Sequence, residues 1–231
     1  MINRGNLKDR PLVIAPVTTL DDLVFLDHEG PSVACDLFEY RLDNLRDHLD
    51  LAESVADKLE GRLLITARHP AEGGEFDLDE SARLQLMTRF LPKATLIDFE
   101  LRSLQESSAL LALSREARAA DVGVVASMHD FDKMLPLSDL RTAAAVAAEI
   151  SVDIVKIAIV VEKMRDIFDL AKLIESTETP VSAMGMGPLG KLSRLVLARA
   201  GSVLNYGYLQ EPNAPGQWPV GELKRLIKEI S

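Results

Sequence analysis

A histidine and a lysine lie within two successive apolar segments of this sequence. His129 follows the run "VGVVASM" (122–128), and Lys156 stands inside "DIVKIAIV" (153–160). An imidazole with an ordinary pKa of about 6.5 is suited to proton transfer near neutral pH. Burial disfavours the ammonium form of a lysine and favours the neutral amine. A neutral amine near a proton-transfer group is the combination that Schiff-base chemistry requires.

Both residues also have a structural interpretation. A buried histidine can be held by a hydrogen bond without taking part in any reaction. A buried lysine is often neutralised by an ion pair, here with Asp98 or Glu39. The residue types alone leave the catalytic and the structural interpretations open.

Charged residues also end two other apolar segments. In "EYRLD", the alternating Glu39, Arg41 and Asp43 share one face of a strand. In "DFEL", Asp98 and Glu100 do the same, and an acidic residue so deep in a sheet is expected to support a neighbouring cation. Charges on a buried face are paired or functional. A structural Glu–Arg pair therefore remains the alternative to substrate binding by Glu39 and Arg41.

A glycine-rich loop follows the segment that ends at Arg68. The loop contains "EGGE" (72–75), and its glycines permit a sharp bend that brings Glu72 back towards the end of the strand. His69, at the start of this loop, is either a second candidate base or a surface residue. Arg68 and Glu72 are therefore candidates for the same site as His129.

The last part of the chain offers groups that suit an anion. Arg194 lies one helical segment beyond the seventh apolar segment, and "EPNAPGQW" (211–218) is typical of an ordered, mobile loop that covers a site. Gln217 is the polar residue of this loop. A guanidinium together with an amide suits a carboxylate. No cluster of histidine and cysteine is present that would hold zinc, so no metal is predicted.

These side chains need elements that bring them together. Eight short apolar segments alternate with longer segments of helical spacing, which predicts parallel strands joined by right-handed crossovers. Eight such units predict an α/β fold, a single-domain (β/α)8 TIM barrel over residues 1–231. Outer helices are expected at 114–121, 162–174 and 221–230. The expected strands are 12–17, 33–43, 63–68, 94–101, 123–128, 153–160, 180–186 and 202–209.

A doubly wound open sheet is the main alternative fold. "GMGPLG" (185–190) matches a dinucleotide-binding pattern, but it follows the seventh strand rather than the first. No acidic residue ends a strand about 20 residues later, as that pattern requires. The barrel is therefore favoured, and barrel enzymes carry their active sites at the carboxyl ends of the strands, where the charged residues above are found.

Composition limits the location and the partners. The net charge is −10, from 26 basic and 36 acidic residues, which argues against a nucleic-acid partner. Cys35 is the only cysteine, as expected in a reducing compartment. The first ten residues lack the apolar core of a secretion signal, and no apolar run approaches the about 20 residues of a membrane span. We expect a cytoplasmic protein without a membrane partner.

The ordered set of these motifs resembles the type I 3-dehydroquinate dehydratases, shikimate-pathway enzymes that convert 3-dehydroquinate to 3-dehydroshikimate. Each motif is short, but their order along nearly the whole chain makes the resemblance specific. The motifs are "EYRLD" (39–43), "EGGE" (72–75), "DFEL" (98–101), "SMHDF" (127–131), "DIVKIA" (153–158), "SR" (193–194) and "APGQ" (214–217).

The resemblance implies a barrel that forms a covalent imine with its small-molecule substrate, without a cofactor. Lys156 would attack the C3 ketone, and the protonated imine would acidify the C2 proton. His129 would assist imine formation and hydrolysis and move that proton, oriented by Glu72. Arg194 would bind the carboxylate, and water would leave by syn elimination. The ring hydroxyls would be held, and the site closed, by Glu39, Arg41, Arg68 and Gln217.

One position departs from the family pattern. Asn213 precedes "APGQ" where family members usually have serine, so a substrate contact from this position would come from an amide. The resemblance also implies a homodimer. Two other function classes stay open: a different aldolase-like lyase that uses the same lysine, and a non-catalytic barrel that binds a carbohydrate or an acid.

Overall fold

Eight parallel strands form one sheet that curves into a barrel. The computed structural model describes residues 4–7, 9–59 and 61–230. Expectations for the first ten residues therefore fall partly outside it, at positions 1–3 and 8. The strands are β1 Leu12–Val17, β2 Leu37–Arg41, β3 Leu63–Thr66, β4 Leu96–Glu100, β5 Gly123–Asp130, β6 Ile154–Val160, β7 Val181–Met186 and β8 Leu204–Tyr206.

Helices follow the strands and pack on the outside of the sheet. Several begin at a capping residue: Thr19 and Asp22 form a capping box on α1, and Asp79 caps α4. None of the helices in the described ranges is long and apolar enough to cross a membrane. The helices are α1 Leu20–Glu29, α2 Leu42–Leu45, α3 Leu49–Lys58, α4 Glu80–Phe90, α5 Leu101–Glu106, α6 Ser108–Ala119, α7 Leu137–Glu149, α8 Met164–Ser176, α9 Gly190–Arg199 and α10 Val220–Ile230.

The sheet closes between β7 and β8. The strand order β7-β6-β5-β4-β3-β2-β1-β8 follows the sequence around the barrel, which excludes the doubly wound alternative. At the seam, the amide of Val203 donates to Val181 O at 3.0 Å. The hydroxyl of Ser182 donates to Leu204 O at 2.7 Å, and the amide of Ala183 donates to Ser202 Oγ at 3.0 Å. Two serine side chains thus complete the hydrogen bonding where the strand ladder stops.

Several elements differ in length from the sequence prediction. The expected strand 33–43 is shorter because Leu42 already begins α2. The expected strand 202–209 is reduced to Leu204–Tyr206, and α6 begins six residues before the expected 114 because Ser107 caps it. The hydrophobic pattern located the elements, while the caps and turns set their ends.

The barrel interior is apolar at one end and charged at the other. Alternate residues of the strands point inward, and Ile14, Leu37, Leu64 and Leu96 pack in the lower interior. One layer higher, inward positions carry Glu39, Thr66, Asp98, Ser127 and Lys156. The parallel register pairs Thr66 with Asp98 and Ser127 with Lys156, and the hydrogen bond from Ser127 Oγ to Asp98 Oδ1 joins the two pairs. An apolar floor below a polar layer sets the site at the carboxyl end.

Candidate active site

A cavity opens to solvent at the carboxyl ends of the strands. All nine residues expected in the site line this cavity. They come from strands β2, β5 and β6, the loop after β3, helix α9 and the loop after β8. These residues are Glu39, Arg41, Arg68, Glu72, His129, Lys156, Arg194, Asn213 and Gln217.

Lys156 lies at the bottom of the cavity and is buried. Its ammonium donates to Asp98 Oδ2 at 2.9 Å and to Glu39 Oε1 at 3.3 Å, and it lies 4.3 Å from the centre of the Tyr206 ring. The ion pair that the structural interpretation required is therefore present. Two carboxylates and an aromatic ring therefore surround the nitrogen of Lys156.

Asp98 connects Lys156 to a second buried cation. Arg68 Nη2 donates to Asp98 Oδ2 at 3.1 Å, and Ser127 Oγ donates to Asp98 Oδ1 at 2.6 Å. Burial alone would raise the pKa of Asp98, but Arg68 and Lys156 outweigh it and hold that pKa well below its usual range. The expected role of Asp98, support for a neighbouring cation, is confirmed for two cations at once.

Arg83 is a buried member of this network that the sequence analysis did not identify. It extends from α4, donates through Nε to Ala67 O at 2.8 Å, and pairs with Glu100. Glu100 also accepts from Arg68 Nη1 at 2.9 Å. A signal was present in the sequence, because Arg83 stands on the same helical face as the buried Met87 and Phe90.

His129 projects into the cavity one layer above Lys156, since it is in register with Ala158. Its Nδ1 lies 3.0 Å from Glu72 Oε2. Desolvation, followed by the charges of Arg68 and Lys156, lowers the pKa of His129 well below its ordinary value. Desolvation also raises the pKa of Glu72 to about 7, against the opposing charge of Arg68. At neutral pH the imidazole is therefore neutral and able to accept a proton.

The loop that carries Glu72 packs under an aromatic ring. Gly73 has φ +87°, and a Cβ at this position would lie 2.8 Å from Phe131 Cζ. Phe131 in turn stacks on His129, with ring centres 6.2 Å apart. The backbone angle favours glycine here, and an added Cβ would displace the ring of Phe131. His69 is not in the cavity, and its Nδ1 accepts from the Ala71 amide at 3.0 Å, so it is a loop-capping residue rather than a second base.

Arg194 is a buried cation without an acidic partner among the described residues. Nε donates to Tyr206 O at 2.9 Å, and Nη1 donates to the carbonyls of Gly185, Gly190 and Gly216 at 2.7–2.9 Å. Burial lowers the pKa of Arg194 to about 10. The remaining nitrogen, Nη2, has no hydrogen bond to any residue in the described ranges. A buried charge of this kind is suited to an anionic ligand.

The loop 211–218 covers the cavity and is fixed at two sides. Gln217 Oε1 accepts from the amides of Asn213 and Ala214 at 2.8 and 3.2 Å, which leaves its Nε2 as a donor towards the cavity. Asn213 Nδ2 donates to Thr18 Oγ1 at 2.9 Å, so this amide contacts the end of β1. On the other side, Gly216 packs directly on Gly190. The side-chain nitrogen of Asn213 is thereby engaged with the protein.

Of the nine other residues that line the cavity, four examples that the sequence analysis did not identify are Thr18, Phe131, Met184 and Tyr206. Each lies in a segment already expected as a strand or strand end, so position in the barrel was their only signal. Asp130 anchors the turn after β5, because its Oδ1 accepts from the amides of residues 132 and 133. Across the described ranges, no group of three or more His, Cys, Asp or Glu side chains is placed to hold a metal ion.

Comparison with known proteins gives one consistent result. The family model described as Type I 3-dehydroquinase matches residues 14–231. The 3-dehydroquinate dehydratase of Methanocella arvoryzae is 33% identical over 214 residues, covering 92% of this chain and 94% of that protein. That of Thermococcus gammatolerans is 36% identical over 195 residues, covering 83% and 86%. The structure of 3-dehydroquinate dehydratase from Enterococcus faecalis superposes with a TM-score of 0.80 at 26% identity, over 96% of this chain and 95% of that one.

Proposed function

The chain belongs to the type I 3-dehydroquinase family, and on that premise we propose that it dehydrates 3-dehydroquinate to 3-dehydroshikimate through an imine on Lys156. One arrangement carries the proposal. A lysine at the base of the cavity lies one strand from a neutral histidine, and a buried guanidinium without an acidic partner faces the same space.

Lys156 is the nucleophile in this proposal. Its amine attacks the C3 ketone after giving up a proton, and loss of water from the adduct forms the imine. The protonated imine withdraws electrons from C2, so that the C2 proton can be removed while the hydroxyl on the adjacent carbon leaves. Water then hydrolyses the product imine and frees Lys156. Asp98 and Glu39, both in contact with the nitrogen, stabilise the positive charge of the iminium as they do that of the ammonium.

His129 moves the protons. It stands on the strand next to Lys156 and one layer nearer the mouth, where a substrate bound to Lys156 must pass. Its Nε2 makes no hydrogen bond within the described part of the chain, so this nitrogen is available to the substrate. Glu72 contacts the opposite nitrogen and fixes the ring, as the third group of a catalytic triad does. Burial raises the pKa of Glu72 to about 7, so this carboxyl changes its protonation state near neutral pH.

Arg194 binds the carboxylate of the substrate. Four carbonyl acceptors orient its guanidinium, and no carboxylate in the described ranges competes for Nη2. The Nε2 of Gln217 adds a neutral donor from the covering loop. The proposed hydroxyl contacts come from residues that line the remaining wall: Glu39, Arg41, Arg68 and Asn213. Asn213 would act through Oδ1, because Nδ2 is bound to Thr18.

Two measurements test this function. Incubation with 3-dehydroquinate should produce the absorbance of a conjugated enone, and no change in absorbance would refute the assignment. Borohydride added during turnover should reduce the imine and attach the mass of the bound molecule to Lys156. The Lys156→Ala variant should show neither signal while still binding the substrate, because Arg194 remains. An unmodified Lys156 after borohydride treatment of an active enzyme would refute the imine mechanism.

The proposal also includes a homodimer in the cytoplasm. In support, the adjacent helices α8 and α9 expose apolar side chains, with Phe168 52% and Met164 43% accessible. Burial raises the pKa of the single thiol, Cys35, to about 12, which suits a chain without disulfides. Light scattering should give twice the chain mass of 25.4 kDa. A mass of one chain, unaffected by Phe168→Asp, would contradict the dimer.

A further inference from the structure

Asp43 is a fully buried carboxylate at the start of α2, beside the cavity but not lining it. Its oxygens accept three hydrogen bonds. Arg41 donates to both of them, through Nε at 3.1 Å and Nη2 at 2.8 Å. The backbone amide of Arg68 donates to Oδ1 at 3.1 Å. One carboxylate thus joins the exit of β2 to the exit of β3.

These contacts hold both ends of the segment 68–73, which carries Glu72. The first end is held directly, by the bond from the Arg68 amide to Asp43. The other end is held through Arg41, whose Nη2 also donates to Gly73 O at 3.0 Å. The bidentate pairing with Asp43 fixes the plane of that guanidinium and therefore the direction of its bond to Gly73.

The segment has little internal support of its own. Between its ends lies a single 3-10 turn, Pro70–Glu72, whose bonds include Glu72 N to His69 O at 2.9 Å. One such turn is not stable in isolation. Yet Glu72 must be placed accurately, because its Oε2 contacts both the amide and the ring of His129. The accuracy must come from outside the segment.

We propose that Asp43 is a positioning residue for the Glu72–His129 pair, acting through the two ends of the segment 68–73. This inference rests on the proposed function, since its consequence is measured as turnover of 3-dehydroquinate. Asp43 touches neither the cavity nor His129, so it acts through its neighbours: a route through Glu72 lowers kcat, whereas a route through Arg41 changes KM. In Asp43→Asn the side chain keeps its shape, but an amide NH₂ faces the guanidinium and the bidentate pair is lost.

A double-mutant cycle tests this route. Asp43→Asn should lower kcat about tenfold to a hundredfold, the effect expected of a displacement near 1 Å in a catalytic group, with a smaller change in KM. In the Glu72→Gln background the same change should lower kcat less than about twofold, because the carboxylate that Asp43 positions is already absent. An equal fall in both backgrounds, or no fall in the first, would overturn the proposal. A change confined to KM would place the effect on substrate binding by Arg41 and would also overturn it.

Asp36→Asn is the matched control. Asp36 is equally buried, accepts from the Val13 amide at 2.8 Å, and pairs with Arg10 and Lys224. It lies at the opposite end of the barrel, so its substitution should lower the melting temperature and leave kcat unchanged. If Asp43→Asn does not fold, Asp43→Glu retains the charge but displaces the Arg68 bond, and it enters the same cycle. An inactive unsubstituted enzyme would refute the proposed function itself, whereas additive effects in an active enzyme would refute only the role of Asp43.

Discussion

A single oxygen of Glu72 contacts His129 twice, 3.1 Å from its backbone amide and 3.0 Å from Nδ1 of its ring. The carboxylate thereby fixes the strand exit and the imidazole together. Both side chains are largely shielded from solvent, and desolvation has opposite effects on them: it raises the pKa of Glu72 to about 7 and lowers that of His129. Both shifts favour the uncharged forms, the carboxyl of Glu72 and the neutral imidazole of His129.

The raised pKa of Glu72 predicts a pH-dependent gain in stability for Glu72→Gln. A carboxyl whose pKa is higher in the folded protein than in the unfolded chain favours folding while protonated and loses that advantage as pH rises between the two values. The window runs from the ordinary value of 4.5 to about 7. The melting temperature of the variant minus that of the unsubstituted protein should therefore be larger at pH 8 than at pH 5. Glu75→Gln, in the same loop, is the control, and a pH-independent difference for Glu72→Gln would contradict the burial effect.

Arg194→Met should raise KM strongly and lower kcat less, because the guanidinium binds a carboxylate that does not change during the reaction. Losing a buried charge-assisted contact costs about 2–5 kcal/mol of binding. Arg194→Lys should restore little of the substrate binding, since one ammonium cannot reach four carbonyls and a ligand. Steady-state kinetics with 3-dehydroquinate measure the effect, with the exposed Arg199→Met on the same helix as control. An unchanged KM would mean that the substrate carboxylate binds elsewhere.

Gly216→Ala should impair the covering loop. Gly216 has φ +78°, and an added Cβ would lie 2.7 Å from Gly190 Cα and 2.8 Å from Gly187 O. Gly61→Ala provides the matched control, because Gly61 has φ +74° with open space around it. Both substitutions carry the backbone strain, of about 1 kcal/mol, but only the first forces the loop away from α9. We expect kcat/KM to fall for Gly216→Ala alone. Equal kinetics in the two variants would show that the contact is not needed.

The sequence was sufficient to predict the strand order and half of the residues that line the cavity. Apolar alternation located β2 and β6, and the barrel rule placed Glu39 and Lys156 at the same end. The motif order then selected His129 and Glu72 from other charged residues. These features are local in the sequence or repeat along it, which is why they could be predicted.

What could not be predicted depends on contacts between distant segments. The sequence left open whether Lys156 is paired with Asp98 or with Glu39, which lie 58 and 117 positions away, and only folding brings both carboxylates to the nitrogen at once. The contact from Asn213 to Thr18 spans 195 positions. Such pairings depend on side-chain geometry across the barrel, for which spacing along one strand carries no information.

Arg83→Met should destabilise the fold far more than a comparable change on the same helix. Arg83 and Glu100 are both buried and directly paired, and removal of one partner of such a pair costs about 3–5 kcal/mol because the remaining charge is left in a low-dielectric site. Arg89→Met is the control. Arg89 lies on the same helix and pairs with Asp50 and Glu53, but it does so at the surface, where ion pairs contribute little to stability. Urea unfolding followed by circular dichroism measures both. In Arg83→Met, Glu100 still has Arg68 as a partner. If Arg83→Met lowers the free energy of unfolding no more than Arg89→Met does, then Arg68 alone satisfies the carboxylate.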